Sequence, residues 1–245
     1  MKDAPKRKRL WCLPQSLGKV ALASSRLSLA SRANTVAQSS DKSSFPTMIA
    51  WLIWLGMIVA STLLMATYTN SAGQAGSPPL NWPGTTRIPR DKSRPNLIMF
   101  VHPRCPCSRA SVGELALLMA HCQGSVNAYV IFFKPAKSTE DWALTDLWRA
   151  ATVIPGVTVL QDDAGFEARQ FRTETSGDTV LYSAGGHLLF HGGLTISRGH
   201  SGDNAGRSAL QILLHDQSPQ ETQTPVFGCS LFKAECQKRG AECKP

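Results

Sequence analysis

Two cysteines one residue apart stand in the run Phe100-Val-His-Pro-Arg-Cys105-Pro-Cys107-Ser108. An apolar, strand-like segment precedes them and a helical pattern follows, so the pair falls in a turn that opens a helix. The first N–H groups of a helix have no partner inside it, and its amino end carries a partial positive charge. Both favour a thiolate over a thiol. The thiolate is the form that attacks disulfides and binds soft metals. His102, Arg104 and Arg109 add positive or polarising groups nearby. Cysteines so close in sequence can pair only through a tight ring, and such a ring is easily reduced. The flanking Pro103 and Pro106 suit a turn and make poor core material, which argues against two buried structural cysteines.

A second group lies in Ser197-Arg-Gly-His200-Ser-Gly-Asp203-Asn-Ala-Gly206, where charged and polar residues stand among glycines. So much glycine points to backbone that must adopt positive φ or approach something closely. One reading makes His200 an acid/base or a ligand beside Cys105, with Asp203 orienting it. In the other, the loop only caps the next helix through Asp203 or Asn204. His187 and His191 flank an apolar strand and read as surface or core histidines. Asp162 and Asp163 belong to a turn.

The elements that must position these residues alternate. Asn96–Val101 is a buried strand, Ser108–Cys122 a helix, and residues 126–133 a second strand. Capping chemistry at 138–141 begins a helix through Trp142, Leu147 and Trp148. Residues 157–160 form a third strand and 166–171 a short helix. Residues 179–183, 184–186 and 187–190 read as strand, turn and strand, and 207–215 as a last helix. This order predicts an α/β sandwich, with a mixed sheet of parallel core strands finished by an antiparallel hairpin.

At the cysteine turn, and over roughly residues 81–216, the chain resembles the thioredoxin-like superfamily. The resemblance implies a three-layer sandwich with Cys105, five residues after Phe100, as nucleophile. The family's resolving cysteine falls on Ser108, so Cys107 or a distant cysteine would have to resolve. Thr175-Ser176-Gly177 stands where the family has a cis-proline beside the site, which adds Ser176 to the candidates. HPRCPCSRAS (102–111) and SRGHSGDNAG (197–206) look more closely like the small membrane-anchored bacterial group called RedB.

The net charge is +9, but residues 1–47 hold nine Lys or Arg against Asp3 and Asp41, and the other 198 residues carry only +2. The excess is peripheral, and no basic helix with interleaved aromatics suggests nucleic-acid binding. Residues 48–68 are 21 residues without a charge, enough at ~1.5 Å per residue to span a bilayer core of ~30 Å. We read 1–47 as a disordered basic cytoplasmic tail, 48–68 as a transmembrane anchor and 69–95 as a Pro/Gly/Ser linker. The domain follows over 96–216, with a Cys-containing tail over 217–245. Basic residues before the span, and none in the 18 residues after it, put the domain outside. In a bacterium this means an inner-membrane, single-pass protein with a periplasmic domain. Residues 19–40 also have the composition of a mitochondrial transit peptide, and Met48 is an alternative start.

Seven cysteines fall at 12, 105, 107, 122, 229, 236 and 243. Under this topology only Cys12 is in the reducing cytoplasm. The last three, spaced by seven, would share one stripe of a helix. They suit structural disulfides, including one to Cys122, or a soft-metal site; a tail thiol resolving the active-site cysteine is the third arrangement. Three functions fit. The first is a thiol-disulfide oxidoreductase acting on protein thiols or disulfides, without a cofactor. The second is a copper-handling module using His102, Cys105 and Cys107 with His191 or His200. The third is a non-catalytic anchored scaffold.

Overall fold

The computed structural model describes residues 44–215, 218–219 and 221–232. The chain divides into two units, 1–51 and 52–245, each taken by itself. The first is described only at 44–51, the opening of helix α1 (Ser44–Thr69). The span Phe45–Thr69 has a mean hydropathy of 2.1 and is long and apolar enough to cross a membrane.

In the second unit, β1 (Asn96–Val101) is buried at every residue because both faces of the sheet are covered. Leu97, Met99 and Val101 point into one core with residues of α2 (Ser108–Cys122), α3 (Asp146–Thr152) and α5 (Ala205–Leu214). Ile98 and Phe100 point the other way, into a core with Ala168 of α4 (Phe166–Gln170), Phe171, Tyr182 and Leu231. This two-sided burial is why β1 reads as an unbroken apolar run and not as an alternation. The remaining strands are β2 (Asn127–Lys134), β3 (Val157–Asp163), β4 (Asp178–Tyr182) and β5 (Leu188–Gly192). The sheet order is β3-β2-β1-β4-β5, with β1/β2 and β2/β3 parallel and β1/β4 and β4/β5 antiparallel. The result is the thioredoxin-like sandwich with a parallel core and a terminal hairpin.

Two boundaries differ from expectation for local reasons. The helix expected from 138 is split into a 3-10 turn, Glu140–Ala143, and then α3. Leu144 leaves helical conformation at ψ 60°, and Thr145 caps the chain afresh by accepting the Trp148 N–H. β3 runs past Leu160 to Asp163 because it stays paired with β2, where Lys134 Nζ also reaches Asp163 at 3.1 Å.

The expected linker is a correction. From Gly73 onward it is strapped to the second face of the sheet. The carbonyls of Pro79 and Pro89 accept from the hydroxyls of Tyr182 (2.8 Å) and Tyr129 (2.9 Å), and Trp82 meets Phe171 and Tyr182 edge-on. Proline lacks an N–H but keeps its acceptor, so a proline-rich stretch can still be tied down this way. The expected domain end at 216 is likewise too early. His191 exchanges backbone hydrogen bonds with Thr222 and Thr224, and Leu231 is buried in the core. Cys12, Cys236, Cys243 and most of the basic tail lie outside the described residues.

Candidate active site

The cysteine turn is anchored at both ends. Gly177 N–H donates to the Phe100 carbonyl at 2.7 Å, and His102 N–H donates to Ser176 Oγ at 2.7 Å. Ser176 Oγ in turn lies 2.6 Å from Ser108 Oγ at the start of α2. The loop Thr175-Ser176-Gly177 thus sits against the turn, and Cys107 is the N-cap residue of α2. Gly177 adopts φ +92°, and a Cβ there would meet Ser111 Oγ at 2.8 Å, so glycine is required twice over.

Onto this loop folds the C-terminal segment that carries Cys229, for which the sequence left a resolving thiol as one of three arrangements. Ser176 N–H donates to the Cys229 carbonyl at 2.8 Å, Thr175 and Ser230 form an antiparallel bridge, and Leu231 N–H donates to the Glu174 carbonyl at 2.9 Å. Gly228 permits the approach, since a Cβ there would overlap the Ser176 carbonyl oxygen. These contacts bring the sulfurs of Cys105, Cys107 and Cys229 within 4.8 Å of one another. The Cys229 N–H points at Cys105 Sγ, at 3.4 Å. Arg198 closes the group. Its Nε donates to the Ser71 carbonyl at 3.0 Å, its Nη1 to the Gly228 carbonyl, and its guanidinium attracts the sulfurs of Cys107 and Cys229.

The electrostatics make Cys105 the anion of the three. The Cys229 thiol donates to it, and the hydroxyl and N–H of Ser108 add to that support. Together they outweigh burial and hold the Cys105 thiol down at about 4. Burial, then the negative charge of Cys105, push Cys107 up against the pull of Arg198. Cys229 is pushed up mainly by the hydrogen bond it gives to Cys105, with burial adding to it. One thiolate is therefore flanked by two protonated thiols.

Arg104 and Arg109, expected to tune Cys105, are engaged elsewhere. Arg104 lies 4.6 Å over the Trp142 ring, and Arg109 pairs with Asp146. Both line a cleft with Pro103, Pro106, Asp146 and Leu147 that reaches Cys105. His102 stacks near Phe133 and meets Trp142 edge-on. Burial lowers its pKa, so it contributes a neutral ring and not a positive charge.

In the glycine-rich loop, His200 is exposed and its Nδ1 lies 2.9 Å from the Arg198 carbonyl, while Asp203 pairs with Arg207 at 2.9 Å. Neither His200 nor His102 contributes an atom to the sulfur cluster. The loop is built on buried Glu114, whose carboxylate takes the Gly202 N–H at 2.7 Å, Asn204 Nδ2 at 3.2 Å and Arg207. Asn204 caps α5 by accepting the Arg207 N–H at 2.8 Å. His191 faces buried Asp178, with Nε2 3.0 Å from Oδ1. Cys122 is a free, buried thiol in the first core.

No protein-family model matches the chain, and no curated protein matches it. Among solved structures it is similar to a hypothetical protein, SMc02350, from Sinorhizobium meliloti, at 19% identity over 66% of this chain and 93% of that one, with a TM-score of 0.49. An uncharacterized conserved protein from Geobacillus kaustophilus is 17% identical over 66% and 92%, with a TM-score of 0.48. A secreted Mycobacterium tuberculosis disulfide oxidoreductase homologous to E. coli DsbE is 16% identical over 50% and 81%, with a TM-score of 0.38.

Proposed function

We propose that this chain is a membrane-anchored thiol-disulfide redox protein of the RedB type, with residues 48–68 in the bilayer and its folded domain in the periplasm. Its substrates are protein thiols or disulfides, and Cys105 is the attacking group. The observation that carries this reading is the support of the Cys105 thiolate by Cys229 and Ser108. A structural cysteine has no need of a stabilised anion, whereas exchange requires one. The cleft lined by Arg104 and Arg109 gives a substrate access to that sulfur. The direct test is exchange with oxidised glutathione. Reduced wild-type chain should consume it and the Cys105→Ser variant should not. Equal consumption by both would exclude Cys105 as the nucleophile.

The sulfur cluster also favours a second reading, a soft-metal site. Three thiolates this close match the low coordination that Cu(I) accepts. Cys105, Cys107 and Cys229 would hold the ion, in place of the histidines the sequence suggested. Anaerobic Cu(I) titration decides it: one tightly bound ion, lost in each single Cys→Ser variant, supports this reading, and no saturable binding removes it.

A further inference from the structure

Exchange through Cys105 needs a second thiol to resolve the mixed disulfide, and this inference rests on that reading. We propose that Cys229, carried by the C-terminal segment and not by the cysteine turn, is the resolving residue. The segment is held in extended conformation against Thr175 and Ser176, with its Cys229 N–H aimed at Cys105 Sγ. Cys107 is placed differently. It is the N-cap residue of α2 with helical angles (φ −65°, ψ −32°), one residue from Cys105. Bonding Cys107 to Cys105 closes a very small ring within a turn pinned at His102, Ser108 and Gly177. Bonding Cys229 to Cys105 closes only the gap between two independently anchored segments.

The chemistry balances in two displacements. The Cys105 thiolate attacks one sulfur of a substrate disulfide, forms the mixed disulfide and releases a substrate thiolate. Cys229 then loses its proton to solvent, attacks Cys105 Sγ and releases the second substrate thiolate. The substrate gains two electrons, and the Cys105 and Cys229 pair gives them up as a disulfide; run backwards, the same steps oxidise a substrate dithiol.

The test is disulfide mapping on the full chain in detergent. The reduced protein is exposed to oxidised glutathione and quenched with acid, and its disulfide-linked peptides are identified by mass spectrometry. Wild type and Cys107→Ser should both give a Cys105–Cys229 link, and Cys229→Ser should accumulate glutathione on Cys105 with resolution slowed at least tenfold. A Cys105–Cys107 link in wild type, or a link from Cys105 to Cys236 or Cys243, overturns the assignment while leaving Cys105 as nucleophile. No glutathione on Cys105 even in the Cys107→Ser/Cys229→Ser double variant would instead remove the exchange reading itself. The wild-type map answers the question even if a variant folds poorly.

Discussion

At the scale of single residues, the source of the Cys105 charge is the main departure from what the sequence offered. Position at a helix start was legible from Pro106-Cys107-Ser108, and so was the wish for nearby donors. The donors themselves were not. Arg104 and Arg109 are nearest in sequence, yet their side chains turn to Trp142 and Asp146. The groups that support the anion come from Ser108 and from Cys229, 124 residues away. Substitutions separate these sources. Arg104→Ala should leave the midpoint of Cys105 alkylation almost unmoved, because its charge is not among the main causes. Cys229→Ala should raise the midpoint, since the largest of them is lost. A large rise with Arg104→Ala and none with Cys229→Ala would reverse the assignment.

At the scale of elements, strands and helices with strong apolar patterns were readable, and segments without them were not. β1 and α2 follow expectation because burial on both sides of a strand, or along one helical face, writes itself into the sequence. The 69–95 stretch and the tail are held by backbone hydrogen bonds and a few aromatic contacts, which leave no periodic trace. The seven-residue spacing of the tail cysteines would align them only on a helix, and Cys229 lies in extended chain beside Thr175. A better signal was Gly228 immediately before it, a residue suited to close backbone approach. Gly228→Ala should therefore push the segment off Ser176 without removing any thiol. We expect Cys105 to remain alkylatable while the Cys105–Cys229 disulfide forms at least tenfold more slowly. Disulfide formation at the wild-type rate would mean that the segment does not need this contact.

At the scale of the molecule, the chain carries an apolar helix and a domain that holds a largely buried sulfur cluster. Arg198 contacts the backbone of Thr69, the last residue of α1, and of Ser71, as well as Gly228 beside the cysteines. On the proposed topology, a cysteine added after Pro245 should react with an impermeant reagent from outside; reaction only after the cytoplasm is opened would reverse that proposal. The charge on Cys105 also ties protonation to folding. A thiol whose pKa is depressed in the folded state stabilises the reduced protein fully only above its unfolded value, near ~8.5. That contribution falls as pH drops towards about 4 and is lost below it. The most direct measurement is the rate of Cys105 alkylation against pH in the intact reduced chain, with the modified residue identified by mass spectrometry. The expected profile has its midpoint near pH 4 and is flat from pH 6 to 8. A midpoint at the free-thiol value of ~8.5 would contradict a tuned nucleophile at this position.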